Sequence, residues 1–260
     1  MKPTALSVNL NKIALLRNSR PGNYPDVALH GEICLDAGAD GLTLHPRPDQ
    51  RHVRPADVYA IAELVRDRNN IEFNIEGNPF AESVGNFPGF MKLVTDTLPD
   101  QCTLVPDGND QLTSDHGFDL EISGKRLQPV IRQLQDLGIR VSLFMDPDIK
   151  QIHLAKELGA DRIELYTGPY ALAFKDHDEI FNELFEHYLA AANYARDINL
   201  GLNAGHDLNL DNLAFFRQVP DLLEVSIGHA LTVDALQSGM ANAVRAYKNI
   251  CTQSIGLTGI

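Results

Sequence analysis

The stretch IEFNIEG at positions 71 to 77 alternates without a break. Ile71, Phe73 and Ile75 fall on one side of an extended chain, and Glu72, Asn74 and Glu76 fall on the other. A strand with one apolar and one charged face needs an apolar layer against the first. Against the second it needs water, a ligand or paired polar groups. The same alternation recurs in Leu6, Val8 and Leu10 against Ser7, Asn9 and Asn11, and in Ile163 and Leu165 against Glu164 and Tyr166. It recurs again in Val225 and Ile227 against Glu224 and Ser226.

Strand-like runs of this kind stand at 6–10, 41–45, 71–77, 101–106, 141–146, 162–167, 200–205 and 222–228, eight in all. Amphipathic helices separate them. Val58, Ile61, Ala62 and Val65 follow the helical spacing, and Ile149, Ile152, Ala155 and Leu158 recur every three residues. The segments CLDAGADGLTLHPRP, LQDLGIRVSLFMDPD and AKELGADRIELYTGPY share one plan: a helix tail, a Gly to end it, a β-rich run and a polar turn. Eight such units in 260 residues predict the α/β class and a (β/α)8 TIM barrel, as a single domain over 1–260. A doubly wound open sheet is the alternative, but no G-x-G-x-x-G follows the first run. The polar faces then point into the barrel, where Val, Ile and Leu are usual. One long insertion, LVPDGNDQLTSDHGFDLEIS, follows the fourth run and predicts a functional loop or lid at about 107–124.

A net charge of −13 argues against nucleic acid or an anionic membrane as partner, so an anionic ligand needs a local basic patch. Cys34, Cys102 and Cys251 form no C-x-x-C pattern, which points to a reducing cytoplasm rather than a disulfide framework or zinc site. No signal-peptide or membrane-spanning run is read.

In such barrels reactive groups gather at the carboxyl ends of the strands, where this reading places Asn9, His45, Arg47, Glu72, Glu164, His206 and His229. His45 can exchange protons, and the Arg47 fork suits phosphate or carboxylate. Arg47, Arg51, His52 and Arg54 equally suit a solvated loop. Glu72 fits either proton abstraction beside a carbonyl or imine, or an interior salt bridge. NAGHDL and SIGHAL each bring Gly-His to the end of a strand, and the amides of Asp207, Gly228 and His229 are candidate anion donors. Glu164 and His206 are expected as neighbours at the mouth. His45, His206 and His229 lack metal-binding spacing, so no metal is expected.

In order along nearly the whole chain, SVNLNKIALLRNSR, AGADGLTLHPRPDQRH, NIEFNIEG, LVPDGNDQLTSDHG, VSLFMD, RIELYTGPYA, LNAGHDL and EVSIGHA resemble the pyridoxine 5′-phosphate synthase family. The resemblance implies a homo-octamer that condenses 3-amino-2-oxopropyl phosphate with 1-deoxy-D-xylulose 5-phosphate, with no organic cofactor and no metal. By matching position, His45 and Glu72 are similar to the proton acceptors, His206 to a proton donor and Glu164 to a further active-site carboxylate. Arg47, His52 and Thr113 would contact the deoxyxylulose phosphate. Asn9, Arg20, Gly228 and His229, with the backbone of Asp207, would hold the aminoketone phosphate.

Two departures stand out. Asn11 and Lys12 replace an Asp-His pair, and Asp207 replaces a Gly. The alternatives are a phosphosugar aldolase or isomerase on the same barrel, and a noncatalytic phosphometabolite sensor. No expected strand core carries the inward lysine an imine-forming aldolase needs.

Overall fold

Parallel strands paired in chain order, with the last returning to the first, give a closed barrel β1-β2-β3-β4-β5-β6-β7-β8. The computed structural model describes residues 3–108 and 111–253, so part of the insertion at 107–124 lies outside the described residues. The strands are β1 (Ala5–Asn9), β2 (Gly41–Leu44), β3 (Glu72–Gly77), β4 (Gln101–Leu104), β5 (Arg140–Met145), β6 (Arg162–Tyr166), β7 (Gly201–Gly205) and β8 (Leu222–Ile227). The helices of the first half are α1 (Asn11–Asn18), α2 (Val27–Asp36), α3 (Pro55–Arg66), α4 (Phe90–Thr97) and α5 (Leu120–Asp136). Those of the second half are α6 (Ile149–Leu158), α7 (Gly168–Asp176), α8 (Phe181–Asp197), α9 (Leu213–Phe216), α10 (His229–Ser238) and α11 (Met240–Thr252). Closure excludes the open-sheet alternative.

Of the expected helix faces, Val58, Ile61 and Val65 on α3 and Ile152 and Ala155 on α6 are buried, Ala62 and Leu158 are half-buried, and Ile149, the first residue of α6, is exposed. Gly159 ends α6 at φ 93°, a left-handed turn that favours a residue without Cβ. The apolar strand faces (Leu6 and Val8, Phe73 and Ile75, Ile163 and Leu165, Val225 and Ile227) join these helices in one core between barrel and ring.

Polar side chains do fill the barrel. Near its middle Ser7 and Thr43 share a hydrogen bond of 2.7 Å, Asn74 donates to Thr43 at 3.3 Å, and Thr103 donates to Asn74 at 3.1 Å. Toward the amino end Gln101 accepts from Arg140 at 2.9 Å and donates to Glu224 at 3.3 Å, while Arg162 meets Glu224 at 3.5 Å. Such a network stabilises only because its members satisfy one another.

One ion pair outside the barrel fixes the loop after β2. The Arg17 side chain, fully buried on α1, pairs with Asp57 on α3 and donates to the His52 carbonyl at 3.0 Å; Asn18 donates to the same carbonyl at 2.7 Å. Asp57 also accepts from the Arg54 amide at 2.7 Å and so holds the start of α3. Replacing Arg17 by Met leaves the buried Asp57 carboxylate without its cation. Urea denaturation is expected to show a loss of roughly 3–5 kcal/mol; a loss below about 1 kcal/mol, the size of a surface pair, would contradict this account.

Candidate active site

A cavity of about 500 Å³ opens at the carboxyl end of the barrel, lined by Asn9, Asn11, Lys12, His45, Arg47, Arg51, His52, Glu76, Thr113, Glu164, His206, Asp207, Gly228 and His229, among others. The residues expected around the mouth are therefore brought together, with two exceptions. Arg20 lies past the end of α1, exposed and outside the lining.

Glu72 is the second exception and requires a correction. It is the first residue of β3, so its side chain lies at the amino end of the barrel, lining a separate cavity of about 290 Å³ with Arg162 and Glu224 and pairing with Arg140. Its side chain is 45% exposed, whereas that of Glu76 is 11% exposed. Four residues along a strand span about 13 Å, so Glu72 and Glu76 face opposite ends. The carboxylate at the mouth is Glu76. The signal for it was in the sequence, because Asn-Ile-Glu occurs twice in NIEFNIEG, four positions apart and with the same parity.

His45 follows the last residue of β2 and is held by its backbone, whose amide donates to the Asn11 side chain at 3.0 Å. Asn11 in turn is set by its amide bond to Asn9, at 2.9 Å, at the start of α1. Asn11 is thus a strut that joins β1 to β2, while Lys12 lines the cavity as a cation. The His45 ring lies between two carboxyl groups, with Nε2 at 3.4 Å from Asp107 and Nδ1 at 3.9 Å from Glu76. Burial, and then Arg47, His52, Arg51 and His206, hold its pKa well below the usual histidine value, so the ring is neutral and open to a proton.

Glu76 accepts from Ser226 at 3.3 Å and from the Asn9 amide at 3.4 Å. Burial first, and then Asp107 and Glu224, push its pKa up to about 8. Glu164 lies beside it at mid-strand and is raised well above the usual range by burial, Glu76 and Glu224. One oxygen of Glu164 has no hydrogen-bond partner, and Gly205 leaves room for the other, since a Cβ there would stand 2.2 Å from it. At neutral pH these carboxyls are proton carriers rather than fixed charges.

Arg47 pairs with Asp107 and donates to the carbonyl of Gln111 at 3.1 Å; Arg51 donates to the same carbonyl at 2.7 Å and to that of Leu112 at 3.2 Å. Ser114 donates to Asp107 at 2.9 Å, and Thr113 meets His206 Nε2 at 2.8 Å. The insertion after β4 therefore reaches from the β2 loop to the β7 loop across the mouth. Arg51, which composition leaves as a solvated side chain, is one of its anchors. His52 is neutral, its pKa pushed down to about 3 by burial, Arg47, Lys12 and Arg51. Its Nδ1 accepts from the Val53 amide at 2.9 Å, so its proton is on Nε2.

Gly228 precedes α10, whose first turn begins at His229 beside the cavity. A Cβ at Gly228 would come within 3.0 Å of Asn9, so the close approach of the helix start to β1 requires glycine. Helix amides there can receive an anion. Glu164 does not orient His206 as expected: the partner of His206 Nδ1 is Asp207, at 2.9 Å. Among the described residues no group of three or more His, Cys, Asp or Glu is arranged for a metal ion, and no helix is long and apolar enough to cross a membrane.

The raised carboxyls make stability depend on pH. Glu76 and Glu224, pushed up mainly by burial to about 8 and about 7, return to ordinary carboxylates on unfolding. Between those values and the ordinary 4.5 the folded form binds more protons than the unfolded one. Their contribution is complete below the ordinary range and is lost as pH rises toward about 8. Above the ordinary histidine range, where the buried His45 and His52 are neutral folded and unfolded alike, the urea midpoint is expected to fall as pH rises toward about 8, and Glu76→Gln, which has no proton to lose, is expected to flatten that fall. A midpoint with the same pH slope in wild type and variant would contradict the assignment.

The family model described as "Pyridoxal phosphate biosynthesis protein PdxJ" matches residues 6–253. Pyridoxine 5′-phosphate synthase of Xanthomonas campestris pv. campestris (strain B100) is 55% identical over 245 residues, covering 94% of each chain. That of Xylella fastidiosa (strain 9a5c) is 50% identical over 248 residues, covering 95% of this chain and 94% of the relative. Among solved structures, thiamine phosphate pyrophosphorylase from Pyrococcus furiosus superimposes with a TM-score of 0.60 at 10% identity, over 97% of each chain, a likeness of fold.

Proposed function

The chain belongs to the PdxJ family of pyridoxal phosphate biosynthesis proteins, and from that premise we propose that it is a pyridoxine 5′-phosphate synthase working at the carboxyl-end cavity. It condenses 3-amino-2-oxopropyl phosphate with 1-deoxy-D-xylulose 5-phosphate, yielding pyridoxine 5′-phosphate, phosphate and water. The observation that carries the site assignment is neutral His45 between Asp107 and protonated Glu76, in a cavity that also offers cations and a helix start.

The reaction asks for a sequence of proton movements. An amine attacks a ketone and one water leaves, a C–H proton is taken and phosphate is expelled, and a carbon–carbon bond then closes the ring with loss of a second water, while the imine and enamine formed by the substrates serve as the electron sink. His45 takes a proton at its neutral ring, Glu76 delivers one and can recover it, and His206 donates to a leaving oxygen. Glu164, next to Glu76, lets the buried pair carry one more proton without separating charge. The protein's remaining work is positioning.

Two phosphates need two anion sites. The Arg47 fork and the His52 Nε2–H, with Thr113 nearby, serve one. The start of α10, with Gly228, His229, Lys12 and the Asp207 amide, serves the other. Asn9 acts through Glu76. The β4 insertion is the cover of this site. Asp107 holds Arg47, so a substrate phosphate that takes Arg47 releases Asp107. A cytoplasmic homo-octamer belongs to the same reading, supported by the family resemblance and by apolar Leu15, Leu16 and Leu29 exposed on α1 and α2.

Purified protein with both substrates is expected to form pyridoxine 5′-phosphate equally with and without a chelator. Absence of product from folded protein would sink the proposal. Glu76→Gln is expected to lower kcat by about 10²-fold with little change in KM. Glu72→Gln is expected to leave kcat within a few-fold; the reverse ranking would return the proton transfer to the amino end of β3.

A further inference from the structure

The backbone at the end of β7 is held in a conformation that side chains disfavour. His206 and Asp207 follow one another at φ 87° and 58°, both left-handed and neither glycine. Bonds that do not involve the Asp207 side chain keep this turn. Thr167 donates to the Gly205 carbonyl at 2.8 Å and also to that of His206, and Asn212 donates to the Asp207 carbonyl at 3.2 Å. Nor does the carboxylate cap the segment that follows, where Asn209 and Asn212 bond each other's amides at 2.9 and 2.8 Å. The contact the carboxylate makes is with His206 Nδ1, at 2.9 Å.

We propose that Asp207 is a positioning residue for His206, fixing its tautomer and ring direction and favouring the imidazolium that donates a proton in the reaction proposed above, on which this inference rests. The carboxyl of Asp207 is held below the usual range, chiefly by the hydrogen bond to His206 and further by the charges of His206, His229 and Lys12. An ionised carboxylate only accepts, so Nδ1 carries a proton and Nε2, beside Thr113 Oγ1 at 2.8 Å, is the atom presented to the cavity. Tyr166 of β6 packs edge-on against the same ring at 5.2 Å, which fixes its plane. The charged groups around Asp207 are thus Lys12 on α1, His229 on α10 and His206 itself, all of which favour the carboxylate; Asp115 and Asp146 act with it on the Tyr166 hydroxyl.

In the donating step the Nε2–H bond breaks and an O–H bond forms on the leaving oxygen. The bonding pair stays on Nε2, and the Nδ1 proton stays on Nδ1, hydrogen-bonded to Asp207. Lys12 and Asp207 act together in this view: the carboxylate holds the histidine, and the cation helps to keep the carboxylate ionised.

The test uses the whole chain, with Asp207→Gly and Asp207→Asn. Imidazole ¹⁵N shifts are followed against pH without substrate, with His206→Gln identifying the His206 signal, and kcat is followed against pH with both substrates. Both variants are expected to lose the single Nδ1–H tautomer of His206, read as a convergence of its two ¹⁵N shifts, and to lose kcat about tenfold with little change in KM. Asp207→Gly is expected to melt no lower than wild type, because glycine accepts the left-handed backbone. An unchanged His206 tautomer signature in the two variants overturns the proposal, as does a lower melting point with an unchanged signature. If Asp207→Gly does not fold, Asp207→Asn, which keeps the shape, decides. A wild type that makes no product counts against the function, while the ¹⁵N tautomer signature still tests the pair.

Discussion

Everything at the mouth of this barrel depends on one constraint: strands of fixed parity, with their apolar faces spent on the helix ring, must satisfy a polar interior. In most barrels of this kind the inner side chains are apolar and the active site rests on a dry plug. Here Ser7, Thr43, Asn74 and Thr103 bond around the middle, and Gln101, Arg140, Arg162 and Glu224 bond toward the amino end. Because the members of that network mostly satisfy one another, with Thr103 reaching up to Glu164, Glu76 and Glu164 above it find few partners from below. Their pKa values rise through burial and mutual repulsion, so the composition of the interior determines the chemistry of the site.

Charge is arranged by distance in the same way. A chain with net charge −13 repels phosphates at long range, yet Lys12, Arg47 and Arg51 all line one cavity. Within a Debye length of roughly 8–10 Å the local cations outweigh the distant carboxylates. Asp107 offsets Arg47 and contacts His45 at the same time, so the charge at Arg47 and the electrostatics of the His45 ring are joined through one side chain.

Much of this was legible in the sequence, and the rest was not for identifiable reasons. Periodicity located all eight strands because alternation and turn residues are local signals. Parity told which residues point inward, and it told Glu72 and Glu76 alike, since they differ by four positions. Height along the strand, which separates the two, is set by where β3 pairs with β2, Gly41 beside Glu72, and that is a property of the assembled barrel. The contacts of Asp107 and Arg51 are not legible for a related reason: their partners, His45 and Arg47 for one and the Gln111 and Leu112 carbonyls for the other, lie far along the chain. The partner of His206 is not legible in the same way, because parity points to Glu164 on the neighbouring strand β6, whereas the carboxylate that meets the ring stands at the next position, reached through a left-handed turn that composition does not announce.

A site of this kind carries a conflict between stability and reactivity. Burying a carboxyl costs stability unless it is protonated, and a protonated carboxyl beside a neutral imidazole is the state that can both give and take protons. Full pairing of Glu76 or Glu164 with a cation would remove the cost but pin the charge and end proton traffic. The guanidiniums that could do so, Arg140 and Arg162, are kept at the amino end with Glu72 and Glu224. Separation of the paired carboxylates from the unpaired ones, along strands only five or six residues long, is what lets one barrel hold a stable base and a reactive mouth.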